Sequence, residues 1–442
     1  LYSGLITASL GSIILVFTRK NIKKQIRKRE GYIIVSMTWI VISLFGTLPF
    51  ILSGAIPSFT DAFFETMSGF TTTGASILTD IEAMPRGILF WRSMTHWIGG
   101  MGIIVLSVAI LPALGIGGMQ LYAAEMPGPT KDKLHPRITQ TAKRLWGIYL
   151  IFTVAQTILL MSGGMDFFDA LCHTFGTVAT GGFSTQDTSI AGYSPFIQYV
   201  IIIFMILAGT NFTLHYMALH GRIRRVLKSE EFRYFIGVII VAGLVITIGL
   251  TMNSDQPFST AFRNSLFQVV SIITTTGYIT DDYLLWPVAF WFIIFLLMFV
   301  GGMAGSTGGG IKVVRHLLLF KNSYLELKRV IHPQAIIPAR LSGKIVSQDI
   351  IYKIMAFFLI YLIIFAIGSL VMTFLGLDYK SSIGASIATL GNIGPGLGMV
   401  GPAGNYAAIP LPGKWILSFF MLLGRLELFT VLILLSPSFW RK

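Results

Sequence analysis

Three observations predict an all-α membrane protein of four tandem helix–pore loop–helix (M1–P–M2) units around one pseudo-four-fold axis. First, 54% of the 442 residues are hydrophobic and only 12% are charged, with a mean hydropathy of +0.75. Soluble domains carry about 25% charged residues, so this chain cannot present an ordinary aqueous surface. Second, nine apolar runs approach the length of a membrane span, about 20 residues. Third, a short segment recurs four times between such runs: Thr71-Thr72-Thr73-Gly74, Val178-Ala179-Thr180-Gly181, Thr274-Thr275-Thr276-Gly277 and Gly391-Asn392-Ile393-Gly394.

The spans lie near 1–18, 32–52, 88–114, 145–163, 195–219, 232–252, 284–300 continuing to 320, 350–376 and 415–436. Basic residues orient them. Arg19 to Arg29, Lys131 to Arg144, Arg222 to Arg233, Lys312 to Lys344 and Arg441-Lys442 hold most of the 33 Lys and Arg. These clusters occupy every second connection, which the positive-inside rule places in the cytoplasm. The alternate connections carry Asp80, Glu82, Asp187, Asp255, Asp281, Asp282 and Asp378, so they and the four short loops face outward. The run at 1–18 then descends from outside to inside. A further helix upstream of Leu1 is therefore expected, making ten spans.

The chain divides into an N-terminal extra helix and basic loop (1–30), pore unit 1 (31–115), unit 2 (116–221), unit 3 (222–320), a cytoplasmic linker (321–348) and unit 4 (349–442). Glycines 74, 181, 277 and 394 recur at roughly hundred-residue intervals, too long for a solenoid repeat. A second small-residue patch follows each loop: Gly99-Gly100-Met101, Ala208-Gly209, Gly301-Gly302-Met303 and Gly424-Arg425. The duplication thus includes the inner helices. Four units of one topology imply parallel repeats about an axis along the membrane normal.

Each loop follows a half-membrane helix: Asp61 to Phe70, Phe167 to Thr177, Phe258 to Ile273 and Lys380 to Leu390. Their C-terminal dipole ends would point at a cation near the midplane. Asp61, Glu65 and Asp169, near the helix starts, are read as N-terminal caps. Small residues ending in glycine let backbone carbonyls face a common axis and replace an ion's hydration shell. Non-helical backbone at membrane depth is tolerated only where it lines a cavity or is buried in protein. A cation-conducting pore is therefore the leading reading. Its candidate filter comprises Thr72, Thr73, Gly74, Ala179, Thr180, Gly181, Thr275, Thr276, Gly277, Asn392, Ile393 and Gly394.

Below it, Gly301, Gly302, Gly305, Ser306, Thr307, Gly308, Gly309 and Gly310 interrupt the inner helix of unit 3 at a glycine density no helix sustains. An intramembrane gate is the functional reading; a packing kink is the alternative. A phosphate-binding loop does not fit, because Ile311 stands where lysine is required. Arg425 and Glu427 fall within the last span, where charge is costly. Arg425 is either an electrostatic barrier under the filter or the partner of Glu427. Arg92 is either a brace on a filter loop or an interfacial anchor. His173, His215 and His220 share no ligand spacing, and the single Cys172 excludes a disulfide framework or cysteine metal cage. No catalytic array is visible, so no enzyme is expected. The net charge of +14 lies in inter-helix loops and does not indicate nucleic acid.

The run Phe64-Glu65-Thr66-Met67-Ser68-Gly69-Phe70-Thr71-Thr72-Thr73-Gly74 resembles the first pore loop of TrkH-type potassium transporters of the Trk/Ktr/HKT superfamily. The segments Trp97 to Val105, Gly117 to Tyr122, Pro127-Gly128-Pro129, Gly181 to Thr185 and Gly305 to Lys312 resemble it too. The resemblance implies one K+ pore, with K+ as the transported ion and no organic cofactor in this chain. Its filter glycines would be Gly74, Gly181, Gly277 and Gly394, with the carbonyls of Thr73, Thr180, Thr276 and Ile393 lining the path. It places the gate at 301–310 and the family's inner-helix arginine at Arg425. It further implies a homodimer in the bacterial inner membrane and a cytoplasmic TrkA-like ring that binds NAD or ATP. Segments 131–144 and 312–344 would dock that ring or anionic lipid. The fourth loop departs from the pattern, having no threonine. A symporter coupled to H+ or Na+ remains the alternative, although inverted halves would be expected for it, whereas here all four loops enter from one side.

Overall fold

A chain in lipid must satisfy its backbone N–H and C=O groups internally, and the apolar runs accordingly become helices. The computed structural model describes residues 2–18, 28–105, 134–253, 256–335 and 337–441. The motif at 117–129, Asp255 and the basic residues at 19–27 and 131–133 lie outside them.

Helix α1 (Tyr2–Thr18) precedes α2 (Lys28–Gly46) and α3 (Leu48–Leu52). Next come α4 (Phe59–Phe70), α5 (Arg86–Val105), α6 (Leu134–Ser162), α7 (Phe167–Val178), α8 (Pro195–Gly209) and α9 (Phe212–Leu219). Then follow α10 (Ile223–Lys228), α11 (Glu230–Asn253), α12 (Phe258–Ile273), α13 (Val288–Leu297) and α14 (Val313–Ile331). The chain ends with α15 (Gln348–Phe374), α16 (Tyr379–Leu390), α17 (Leu411–Arg425), α18 (Phe429–Leu435) and α19 (Pro437–Trp440). Among the described residues, four helical stretches are long and apolar enough to cross a membrane unaided: Arg29–Leu52, Ala142–Ser162, Glu230–Asn253 and Gln348–Phe374. Their outer faces expose Ile151, Val154, Ile240, Val241, Ile248 and Ile363, as lipid contact requires. The protein is a mostly helical, multi-pass membrane protein.

The four short helices α4, α7, α12 and α16 match the expected half-membrane helices to within two residues. They are the core: Phe64, Met67, Ala170, Phe267, Val270, Ala385 and Leu390 are all buried within them. Their caps differ from expectation. Ser58, Asp166 and Asp378 accept from the N–H of Asp61, Asp169 and Ser381. Asp61, Glu65 and Asp169 cap nothing: Asp61 and Asp169 sit inside the first turns and Glu65 a turn further on, and their carboxylates turn sideways to other partners. The Ser381 hydroxyl and N–H hold the exposed Asp378 carboxyl below its ordinary range. This contribution is present above the unfolded-state value and fades as pH falls through the lowered folded-state value. Asp378→Ala is expected to cost about 1 kcal/mol, measurable as reduced thermal stability in detergent at neutral pH and a smaller difference in strong acid.

Among the described residues three inner helices are broken, where only the one in the third unit was expected to be. The run at 195–219 bends by 103° between α8 and α9. There Thr210 is extended and Asn211 Oδ1 accepts from the Thr213 N–H at 2.8 Å, starting a new helix. The run at 415–436 breaks where Glu427 (φ 58°) and Leu428 (φ 51°) take left-handed backbone, a strained conformation for non-glycine residues. Gly209 and Gly424 lie just before these breaks, but an isolated glycine in a helical pattern is ordinarily tolerated and does not by itself mark a break. The linker adds a small antiparallel hairpin, β1 (Arg340–Leu341) and β2 (Lys344–Ile345). Its turn is Ser342-Gly343, both at positive φ, and the Ser342 N–H and Lys321 both bond to Glu230.

Candidate ion pathway

Each half-membrane helix ends by handing its chain to the same local path. One residue past the cap the backbone turns left-handed: Thr72 (φ 51°), Thr180 (55°), Thr275 (58°) and Asn392 (53°). Two residues later it does so again, at Gly74 (82°), Gly182 (81°), Gly277 (81°) and Gly394 (95°). The residue between them donates back into the helix. Thr73 N–H bonds Ser68 O at 2.9 Å, Gly181 to Gly176 at 2.7 Å, Thr276 to Ser271 at 2.8 Å and Ile393 to Ala388 at 2.8 Å.

This path corrects the register of the second loop by one residue. Gly182, not Gly181, stands where Gly74 stands, Gly181 matches Thr73, and Ala179 matches Thr71. The cause is the length of α7, which runs to Val178, one residue past its expected end. With two adjacent glycines, the letters offered no way to choose between them.

The four loops abut in cyclic order. A Cβ built on Gly74 would overlap the Gly181 carbonyl oxygen, one on Gly182 that of Thr276, and one on Gly277 that of Ile393; one on Gly394 would lie 2.7 Å from Thr73 O. Above them, a cavity of about 180 Å³ is lined by all four of these glycines, Asp187 and Tyr406.

Side chains lace the loops from behind. Tyr278 donates to the carbonyls of His173 (3.0 Å) and Phe183 (3.2 Å). Tyr283 bonds Gly396 O and Tyr406 bonds Gly394 O, both at 2.6 Å. Asn392 Nδ2 reaches Thr73 Oγ1 at 2.9 Å and Met421 O at 2.8 Å. Lys414 pairs with Asp61 at 2.6 Å. Arg92 Nε pairs with Glu65 at 2.6 Å, and its Nη1 donates to Ser184 O at 2.9 Å. Arg92 thus braces the second loop and is buried. Sequence reasoning missed the tyrosines and the structural part of Glu65; the one available signal was that Tyr278 directly follows a loop glycine.

Residues 298–312 form a non-helical loop directly under this ring. The broken end of α8 holds it, because a helix terminus leaves carbonyls unpaired. Met303 N–H bonds Gly209 O at 2.9 Å, Thr307 N–H bonds Ala208 O at 3.3 Å, and Phe212 N–H returns to Gly305 O at 3.0 Å. Gly309 N–H meets Thr275 Oγ1 at 2.6 Å, and Thr307 Oγ1 meets Val178 O at 3.1 Å. Gly301, Gly302, Ser306, Gly308 and Gly310 are buried in the same segment, with Gly305 half-buried. Arg425, 2% exposed, donates to Thr307 O at 2.6 Å and to Gly99 O at 3.3 Å. It does not pair with Glu427, which bonds Arg315 instead. The break after α17 separates their directions, so two residues that look like one pair serve different elements.

The family model described as "TrkH: Cation transport protein" matches residues 2–442. The Trk system potassium uptake protein TrkH of Salmonella typhimurium is 46% identical over 442 residues, covering 99% of this chain and 91% of that protein. TrkG of Escherichia coli K12 is 38% identical, covering 96% and 88%. The crystal structure of the potassium transporter TrkH from Vibrio parahaemolyticus superposes with a TM-score of 0.87 at 41% identity, covering 95% of this chain and 87% of that one. On the family model, the relatives and the shared fold alike, the chain belongs to the TrkH family of cation transport proteins.

Proposed function

We propose that this protein is the membrane-embedded subunit of a K+ uptake system, conducting K+ (and Rb+) through a backbone-carbonyl filter. The observation that carries the reading is the cyclic contact of Gly74, Gly182, Gly277 and Gly394, each against the carbonyl of the next loop. Four related loops in a closed ring give a pseudo-four-fold axis, and units 31–115, 116–221, 222–320 and 349–442 are the repeats around it. The filter layers are then Thr72-Thr73-Gly74, Thr180-Gly181-Gly182, Thr275-Thr276-Gly277 and Asn392-Ile393-Gly394. The carbonyls of Thr73, Gly181, Thr276 and Ile393 stand in for water around the ion. Ile393 serves as well as threonine because its main chain does the work. The relatives are potassium uptake proteins by name, which favours K+.

The loop 301–310 is the gate, and Arg425 is its lock. Arg425 places positive charge under the filter while tying the loop to α5 through Gly99 O. Both interactions oppose cation passage, so the conformation described is closed. The relatives' place in a multi-component system supports a cytoplasmic TrkA-like ring, binding NAD or ATP, as the element that opens it. A homodimer in the bacterial inner membrane completes the assembly, with the basic face of 312–344 directed to the ring or to anionic lipid.

Reconstituted flux tests this reading. In liposomes, Rb+ and K+ flux is expected to follow the imposed voltage with no H+ or Na+ gradient present. Flux that needs an inward H+ or Na+ gradient overturns the pore in favour of coupled symport.

A further inference from the structure

We infer that the second filter loop is held in its ion-coordinating shape by the first unit's His96 and Arg92, and that these two side chains are specificity-positioning residues. The inference rests on the filter reading above and adds to it the source of rigidity of one loop.

Loops 1 and 3 lace themselves. Thr71 and Thr73 share a 2.8 Å hydrogen bond between their hydroxyls, and Thr274 and Thr276 share another of 2.8 Å. In the corrected register the second loop has Ala179 and Gly181 at those two places. It has no hydroxyl to join and no side chain behind its coordinating carbonyl. Two successive glycines, Gly181 and Gly182, also carry the greatest backbone freedom of the four loops. Left to itself, this quarter of the ring is the least fixed.

The missing support comes from α5. A Cβ on Gly181 would overlap the His96 ring, so the imidazole occupies the space a side chain at 181 would fill. His96 Nδ1 accepts from the Phe183 N–H at 3.4 Å, and its ring stacks on Phe183 with centroids 4.0 Å apart. Arg92 lies one turn earlier on the same helix face. Its Cζ sits 3.6 Å from the Phe183 centroid, and it donates to the next carbonyl, Ser184 O, at 2.9 Å. Glu65 anchors Arg92 and also accepts from Ser76 Oγ and the Ile77 N–H, both at 2.9 Å. One buried ion pair therefore joins the outgoing limbs of loops 1 and 2.

Packing alone does not account for a histidine here. His96 Nε2 is buried with no hydrogen-bond partner among the described residues, a cost an apolar ring would avoid. The acceptor presented to the Phe183 N–H is what an apolar ring cannot supply. Phe183 and the backbone on either side of it are thereby fixed by two contacts from another unit.

The test is relative Na+ to Rb+ permeability of the reconstituted full-length protein. His96→Ala is expected to raise that ratio about tenfold, the effect of one lost hydrogen bond and stack on a coordinating layer. Gly181→Ala alone is expected to abolish flux by collision with the imidazole. The double variant His96→Ala/Gly181→Ala is expected to recover flux, because the added methyl enters the vacated space and Gly181 needs no left-handed backbone. Non-additivity of this kind separates positioning from general destabilisation. Phe183→Leu, which removes the ring both side chains hold, is expected to shift the ratio in the same direction and serves if His96→Ala does not fold. An unchanged ratio in the folded variants, or a double variant as inactive as Gly181→Ala, overturns the inference. Gly394→Ala, in the loop across the ring from this junction and packed against Thr73 and Gly74, separates the two readings. If it too leaves the ratio unchanged, the filter assignment itself fails; if it shifts the ratio while His96→Ala and Phe183→Leu do not, only this inference fails.

Discussion

Replacing Arg425 with alanine is expected to raise Rb+ uptake by the isolated protein, without any cytoplasmic partner, by roughly tenfold to a hundredfold. The guanidinium makes two bonds that matter, to Thr307 O at 2.6 Å and Gly99 O at 3.3 Å. Hydrogen bonds from a charged donor contribute about 1.5–3 kcal/mol each, and each 1.4 kcal/mol is tenfold in a closed-to-open ratio. The substitution also removes a positive charge held under the filter, where burial strengthens its repulsion of a cation. Both effects have the same sign. Arg425→Lys is expected to keep the charge but lose the fork that spans two carbonyls, giving an intermediate rate. The measurement is tracer uptake into proteoliposomes at matched protein density. Uptake unchanged in folded Arg425→Ala would remove the arginine from the gate.

Gly277→Ala is expected to abolish discrimination of K+ from Na+, or to abolish conduction. Gly277 has φ 81°, and its Cβ would overlap Ile393 O and approach Pro395 Cδ to 2.8 Å. The obstacle is main chain and a proline ring, neither of which can rotate away. Left-handed backbone costs a non-glycine residue roughly 1–2 kcal/mol before any collision is counted. The relief available is to push the Ile393 carbonyl off the axis, and that carbonyl is one of the proposed ligands. A displaced ligand weakens the smaller difference, between two alkali ions, more than it weakens binding of either. Competition of Na+ with 86Rb+ reads this directly. Retained selectivity in a folded, conducting variant would count against the ring as the filter.

Much of this was legible in the letters, and the reasons are specific. The half-membrane helices were found to within two residues because each is an apolar segment too short to span, followed by a small-residue turn. The interruption at 301–310 was found because ten residues that include six glycines cannot be helix. The breaks at Asn211 and Glu427 were not found. Their causes are tertiary: the α8 carbonyls are freed to bind Met303 and Thr307, and Glu427 is drawn to Arg315. The pairing of Arg425 with Glu427, the alternative to a barrier under the loops, does not form, since a change of backbone direction between them decides which neighbour each meets. The register of the second loop failed for a smaller reason, one extra residue of helix before two identical glycines.

Composition and the period of the repeat were enough for the class of protein and its four loops. Those properties follow from solvent: hydrocarbon excludes unpaired peptide groups and charge wherever they occur in the chain, so they register locally, residue by residue. Which carbonyl meets which glycine, where Arg425 points, and that His96 fills the gap behind Gly181 arose only once the units closed on one another. Contacts between residues so far apart in the chain depend on angstrom-scale placement of whole helices, and no local pattern of residue types encodes a distance.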